Sequence, residues 1–151
     1  MARYHATVGS RRSAQDTFEY LATFSNAAQW DPGTLTAEQL DPGPVRIGTR
    51  FRLIVPFLGR RLPLTYQVTE YAPHHEVVLH AVSGLLRATD RIVVAEDGAG
   101  AEVSYTAEIR LRGPLSLLDP LLGRGFRAVG DRATAGLAQV LLAWPGPGSG
   151  S

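Results

Sequence analysis

The chain has 151 residues, of which 44% are hydrophobic and 19% charged, a composition typical of one globular domain with its own core. Its formal net charge of +1 predicts no strong attraction to nucleic acid or to an anionic lipid surface. Cysteine and lysine are both absent, which excludes disulfides, thiolate metal sites, cysteine nucleophiles, Schiff-base lysines and P-loop lysines.

The sequence indicates neither a targeting segment nor a second domain. The first residues lack the apolar segment of a signal peptide, and no run approaches the roughly 18 apolar residues of a membrane span. We therefore expect a cytoplasmic protein without membrane insertion. Residues 145–151, PGPGSGS, have the composition of a flexible tail, so we expect a single domain over residues 1–144.

The first forty residues predict a strand, two short helices and a second strand. Residues 3–9 alternate weakly as a strand does, and Ser13 then begins a helix, with Asp16 three positions later in a capping-box-like arrangement. A helical turn over residues 25–30 ends at the turn sequence Asp31-Pro32-Gly33. Residues 34–40 follow as a predicted strand.

The middle of the chain is a succession of strand patterns, at residues 48–57, 62–71, 77–82, 87–95 and 101–112. In the last of these, apolar residues alternate with polar ones over the whole length. The pair Asp97-Gly98 between the last two patterns is a strong hairpin signal. Consecutive strands joined by short turns predict an antiparallel sheet with one apolar and one solvated face.

The last element is a long helix. Asp119-Pro120 fits an N-cap followed by proline at the first helical position, and apolar residues then recur at three- and four-residue spacing to about residue 143. The helix carries four glycines, each costing roughly 0.5–1 kcal/mol against alanine: Gly123, Gly125, Gly130 and Gly136. Two explanations stay open for them, namely close approach to the sheet and space for a ligand.

This order of elements predicts an α+β fold in which a curved antiparallel sheet of about seven strands wraps around the C-terminal helix. A strongly twisted sheet facing one helix leaves a wedge-shaped interior that side chains or a ligand must fill. We therefore predict a small, largely apolar molecule between the sheet and the helix.

Several stretches resemble those of a known family. They are SAQDTFEYLA at 13–22 with the Asn26 and Trp30 that follow, GPVRIGTRFR at 43–52, YQVTEYAP at 66–73, GAGAEVSY at 98–105, and the closing helix. Their order over residues 3–143 resembles the helix-grip fold of the START-like (SRPBCC) superfamily, and specifically the bacterial polyketide cyclase/dehydrase family. The resemblance implies a cavity between sheet and helix that holds lipids, hormones or polyketides, and in some members cyclises or dehydrates them.

Nine residues are predicted to contact the ligand: Trp30, Phe51, Leu53, Tyr66, Val68, Tyr105, Ala107, Phe126 and Val129. Tyr66 and Tyr105 share faces with strand hydrophobes, so a packing role and a ligand-lining role both stay open for them. For Trp30, a gating or stacking role and a role as a core anchor are equally open.

The catalytic candidates are His80, Tyr66 and Glu70. His80 lies mid-strand in a segment that is apolar on both faces, so its direction is open, and an inward His80 could act as a general base. Glu70 would lie inside only if the alternation of Tyr66 and Val68 continues.

Arginines are the other candidates, because the resemblance implies an interior Arg or Tyr that polarises a carbonyl group. Arg50 and Arg52 are predicted on the outer face of their strand, and Arg110 is expected on the outer face as well. The directions of Arg87 and Arg91 stay open.

The sequence predicts neither a metal site nor a cofactor. His74-His75-Glu76 is predicted as an exposed turn, because adjacent side chains diverge and no third ligand cluster accompanies them. Three functions stay open: binding of a small hydrophobic molecule, cyclase, aromatase or dehydratase chemistry by general acid–base catalysis, and protein interaction through the sheet face or residues 115–118. The oligomeric state stays open too.

Overall fold

Alternating apolar and polar residues produce seven strands, and the computed structural model describes them within residues 2–57, 59–98 and 100–143, with only the backbone for 119–124 and 143. The predicted tail, 145–151, lies outside the described residues. The strands are β1 (Ala2–Ser10), β2 (Thr36–Gln39), β3 (Arg50–Phe57), β4 (Arg60–Ala72), β5 (Glu76–Val82), β6 (Leu86–Asp97) and β7 (Gly100–Leu111).

All seven strands belong to one antiparallel sheet with the order β1-β7-β6-β5-β4-β3-β2. Strands β2 to β7 follow one another as a meander, and β1 adds to the far edge by pairing with β7. The β6–β7 hairpin turns at Gly98, whose φ of 61° is the left-handed conformation that glycine adopts without strain. The predicted sheet and this hairpin are confirmed.

The segment between β1 and β2 contains the two predicted short helices, α1 (Ala14–Ala22) and α2 (Ala27–Trp30), joined by a 3₁₀ turn at Phe24–Asn26. The Ser13 hydroxyl accepts a hydrogen bond from the Asp16 backbone N–H at 3.1 Å, which confirms the predicted helix start. Phe18, Leu21 and Ala22 are buried, so α1 packs on the concave side of the sheet.

The C-terminal helix, α3 (Asp119–Ala143), follows directly on a 3₁₀ segment at Gly113–Leu118. Its second half packs closely: a Cβ added to Gly130 would overlap the Tyr4 ring, and one added to Gly136 would overlap the Trp30 carbonyl oxygen. A Cβ at Gly125, by contrast, would meet nothing within 4 Å. Close approach to neighbouring elements therefore explains Gly130 and Gly136, and open space explains Gly125. The surroundings of Gly123 lie outside the described part of the structure.

The core lies between the concave face of the sheet and the helices, and the apolar stripe of α3 contributes Ala133, Leu137 and Leu141 to it. No helix within the described residues is long and apolar enough to cross a membrane. In the 3₁₀ segment, Leu117 is 83% exposed and Leu118 is exposed as well, whereas Leu115 is half-buried against the core, so only part of the segment proposed for protein interaction lies at the surface.

Candidate functional site

A cavity of about 290 Å³ lies between the sheet and the first half of α3. Its volume is near the lower end of the roughly 300–1,000 Å³ typical of small-molecule pockets. Most of its wall is apolar: Phe24, Leu53, Val55, Pro56, Phe57, Leu64, Leu86, Ala88, Ala107, Ile109, Phe126, Val129 and Ala133.

Small residues on both sides create the empty space. Ala88 on β6 and Ala107 on β7 face the cavity from the sheet, and Gly125 faces it from α3; Gly130 also borders the cavity, but the Tyr4 ring packs against it. Val129 is 38% exposed and also lines the cavity, which places the mouth beside this part of the helix. The apolar wall favours a hydrophobic occupant.

Asp90 is a buried carboxylate in this wall. Along β6 the buried positions are Leu86, Ala88, Asp90, Ile92 and Val94, so the period of the strand places a charged residue type among apolar ones. Asp90 is only 6% exposed, and the Tyr105 hydroxyl donates a hydrogen bond of 2.6 Å to its Oδ2. Asp90 and Tyr105 therefore form a polar pair inside an otherwise apolar wall.

Burial raises the pKa of Asp90 from its ordinary value of 3.8 to about 7. The hydrogen bond from Tyr105 opposes this rise because it stabilises the carboxylate, while the negative charge of Asp31 adds to it. Burial is the dominant cause, since an apolar wall disfavours the charged form. Asp90 can consequently hold or release a proton close to neutral pH.

Tyr66, on β4, supplies a second polar group that faces the cavity. It is 7% exposed, and its ring packs against Phe24 with the centroids 5.2 Å apart. Among the described residues, no hydrogen-bond partner is found for its hydroxyl. Burial, together with the charges of Asp90 and Asp31, raises the pKa of Tyr66 well above its usual value, so the phenol keeps its proton.

Asp31 borders the cavity from the turn after α2. Its Oδ1 accepts from the Gly33 backbone N–H at 2.8 Å and its Oδ2 accepts from the Thr34 hydroxyl at 3.0 Å, so both oxygens are engaged in the turn. Burial raises its pKa, and these hydrogen bonds and the charge of Arg132 oppose that rise. Asp31 acts on the cavity through its charge and through the turn that it holds.

The predicted ligand residues fall into two groups. Six of them border the cavity, namely Leu53, Tyr66, Tyr105, Ala107, Phe126 and Val129. Trp30, Phe51 and Val68 are buried but are not among the described residues that border it. Trp30 instead packs edge-on against the ring of Tyr105, with the centroids 5.7 Å apart, and Phe51 packs edge-on against Phe24. Ligand contact by any of the nine stays a prediction.

Two of the catalytic candidates lie away from the cavity. His80 is half-buried on the outer face of the sheet, where its Nδ1 is 2.9 Å from the Thr89 hydroxyl, because Val77, Leu79 and Ala81 occupy the inward positions of β5.

Glu70 is exposed because the register shifts by a β-bulge between Val68 and Glu70, so the alternation of Tyr66 and Val68 does not continue. Its carboxylate is 3.5 Å from Arg91 on the solvent side. Of the three candidates, Tyr66 alone borders the cavity.

No arginine with a described side chain borders the cavity. Arg50, Arg52 and Arg110 are exposed, as their strand patterns predict, and Arg87 and Arg91 are exposed too. Arg50 forms an ion pair with Asp41 at 2.9 Å. Among the described residues, the polar side chains that border the cavity are therefore carboxyls, phenols and the Thr34 hydroxyl.

Asp90 is the functional candidate that the sequence analysis did not single out. A signal for it existed, since an aspartate stands at the third of five inward positions of β6, where the other four are apolar. Among the described residues, no group of three or more metal-ligating side chains is placed to hold an ion.

Comparison with known families gives a match over nearly the whole chain. The family model described as polyketide cyclase/dehydrase and lipid transport matches residues 1–142. Among curated proteins, none matches this sequence significantly.

Solved structures share the fold at low sequence identity. A protein from Thermus thermophilus has a TM-score of 0.73 at 16% identity and covers 94% of this chain and 97% of its own. The Zhui aromatase/cyclase from a Streptomyces species has a TM-score of 0.71 at 17% identity, covering 93% and 91%. A START superfamily protein from Mycobacterium smegmatis has a TM-score of 0.70 at 15% identity, covering 93% and 97%. The fold is thus the helix-grip fold of START-like proteins.

Proposed function

We propose that this chain, which belongs to the polyketide cyclase/dehydrase and lipid transport family, binds one small hydrophobic molecule between its sheet and α3. Family and fold support a hydrophobic ligand-binding or cyclase role. The observation that carries the binding proposal is the cavity of about 290 Å³, whose largely apolar wall contains a few convergent polar groups.

Burial of apolar ligand surface supplies the affinity in this proposal, and the polar groups supply orientation. An occupant that left Asp90 and the Tyr66 hydroxyl facing apolar atoms would lose the hydrogen bonds that water can make to them. We therefore propose that the ligand has an apolar body with a polar atom at the end that lies against β4 and β6. No organic cofactor or metal enters this proposal.

Titration with a neutral aromatic probe, 2-isopropenylnaphthalene, tests the binding proposal. The wild-type chain is expected to bind it, with a fluorescence change that saturates at one probe per chain. Ala107→Phe fills the cavity from β7 and is expected to abolish that binding. Ala135→Phe adds the same side chain on the exposed side of α3 and is expected to retain it. Absence of binding to wild type, or equal binding by both variants, would contradict the proposal.

A second function, catalysis as a cyclase, aromatase or dehydratase, is favoured by the position of Asp90. A carboxyl with a pKa of about 7 can give a proton to a carbonyl oxygen or to a departing hydroxyl at neutral pH. The proton would pass from Asp90 to the ligand oxygen, and water would remove the neighbouring C–H proton to form an enol.

Deuterium exchange tests this second function. In D₂O, the methyl hydrogens of 2-acetylnaphthalene are expected to exchange faster with the wild-type chain than without it, and Asp90→Asn is expected to remove the acceleration. A probe that binds without accelerated exchange would exclude this acid chemistry and leave the binding proposal standing.

A further inference from the structure

The wall of the cavity holds two hydrogen-bonding positions that no described residue uses. Asp90 accepts the Tyr105 hydrogen bond on Oδ2, and among the described residues nothing bonds to its Oδ1. The Tyr66 hydroxyl is likewise without a partner in the described part of the chain, although the residue is only 7% exposed. The Tyr66 hydroxyl is not cut off from solvent, so water or a ligand in the cavity can bond to it, and a wholly apolar occupant would leave it unsatisfied.

Both positions are donors when Asp90 is neutral. The phenol of Tyr66 keeps its proton, because burial and two nearby carboxylates oppose its ionisation. A carboxylic acid kept neutral by an apolar site can donate through its own O–H, and the hydrogen bond from Tyr105 to Oδ2 leaves Oδ1 as the oxygen that carries this proton. Asp90 and Tyr66 then present two O–H donors to an apolar cavity, and they lie close enough that the charge of an ionised Asp90 raises the pKa of Tyr66.

We infer that Asp90 and Tyr66 donate two hydrogen bonds to one carbonyl oxygen, so that the site selects neutral hydrophobic ketones, quinones and related carbonyl compounds. This inference rests on the proposed binding function and deepens it by naming the chemical class of the ligand. A carboxylate ligand is disfavoured, because its charge would meet the charges of Asp31 and, once ionised, of Asp90 in a site that no described arginine side chain enters.

Other titratable groups around Asp90 set the direction of its pH dependence. Tyr105 on β7 and Tyr66 on β4 face it as neutral phenols, and Asp31 acts on it from the turn after α2. Tyr4 on β1 also lines the cavity, but its hydroxyl bonds to two residues of α3, to Asp131 at 2.9 Å and to Thr134 at 3.0 Å.

Glu108 also borders the cavity, but its carboxylate lies 3.4 Å from Arg3 on the exposed side of the sheet. Asp90 is thus the group whose ionisation changes a donor into an acceptor inside the site. The affinity for a carbonyl compound should fall as the pH rises through about 7, where Asp90 loses its proton.

Two isosteric probes separate this inference from general hydrophobic binding. 2-Acetylnaphthalene and 2-isopropenylnaphthalene differ only in that a carbonyl oxygen replaces a methylene group. The ratio of their affinities isolates the hydrogen bonds, because the transfer of each probe from water is the same for every variant and cancels. The variants are Tyr66→Phe and Asp90→Asn, and Asp97→Asn is the control, with the same substitution at an exposed position of β6.

In the wild-type chain, the preference for the ketone is expected to fall about tenfold between pH 5.5 and pH 8.5. Tyr66→Phe should lower it about three- to tenfold at pH 5.5. Asp90→Asn keeps an N–H donor but cannot ionise, so it should remove the pH dependence, whereas Asp97→Asn should retain it. The infrared band of the bound carbonyl should lie at lower frequency in wild type than in Tyr66→Phe.

The outcomes are distinguishable. If 2-isopropenylnaphthalene does not bind at any pH, the binding proposal itself fails. If both probes bind and the affinity ratio is the same at both pH values and in Tyr66→Phe, the binding proposal stands and the inference of a two-donor carbonyl site is overturned. If a variant does not fold, the wild-type chain alone tests the inference, through the pH dependence of the ratio of the two probe affinities and of the infrared carbonyl band.

Discussion

Replacing Asp90 by asparagine should remove the part of the pH dependence of the free energy of unfolding that comes from the ionisation of this buried carboxyl. The folded state raises the pKa of Asp90 from 3.8 to about 7, so it binds the proton more tightly than the unfolded chain does. The contribution of Asp90 to the free energy of unfolding of the wild-type chain is therefore greatest in acid and is lost as the pH rises from about 4 to about 7. Asparagine has nearly the same shape as the protonated aspartate and still accepts the Tyr105 hydrogen bond, but it never becomes charged.

The size of the effect follows from the shift. Two pH units separate pH 5 from a pKa of about 7, and each is worth about 1.4 kcal/mol, so the advantage of Asp90→Asn over wild type should grow by about 3 kcal/mol between pH 5 and pH 8.5. In a chain of this size, that corresponds to a difference in melting temperature on the order of 10 °C.

Urea denaturation of both proteins at several pH values measures this difference. Asp97→Asn, which makes the same substitution at an exposed position of the same strand, should show no comparable growth. If the free energies of unfolding of wild type and Asp90→Asn keep a constant difference from pH 5 to pH 8.5, Asp90 does not carry a raised pKa and the electrostatic account of the site is wrong.

Three further substitutions test other parts of the structure. Tyr105→Phe removes the hydrogen bond that lowers the pKa of Asp90, so a carbon NMR titration of that carboxyl should show a higher pKa; a lower one would contradict the bond. Gly136→Ala should destabilise the fold by about 1–3 kcal/mol, because its Cβ would overlap a backbone carbonyl, while Gly125→Ala should stabilise it by about 0.5–1 kcal/mol; equal effects in thermal denaturation would refute the packing of α3. His80→Gln should leave the affinity for 2-isopropenylnaphthalene within about twofold, because hydrophobic binding follows the apolar area buried and His80 buries none of it from the outer face of the sheet.

Much of the fold could be predicted because its signals are local. Period-two alternation marks β7, Asp97-Gly98 marks its hairpin, and Ser13 with Asp16 marks the start of α1; each depends on residues a few positions apart. The strand predicted at 34–40 is shorter in the structure, at Thr36–Gln39, because the Thr34 side chain belongs to the turn held by Asp31.

The polar groups of the site were harder to predict, because their roles depend on neighbours far along the chain. A single bulge after Val68 turns Glu70 to solvent, and the apolar inward positions of β5 leave His80 on the outer face. Trp30 lies behind Tyr105 and not in the cavity wall, because α2 and Gly136 of α3 meet there.

By itself, the sequence determined the order of strands and helices and the presence of an apolar space between sheet and α3. The tertiary structure alone decided what chemistry that space contains. Asp90 is one more alternating residue in the sequence, and it becomes a group that titrates near pH 7 only when β6, β7 and the turn at Asp31 surround it. The physical reason is that alternation requires only adjacent residues, whereas burial and charge–charge interaction require the folded packing of distant ones.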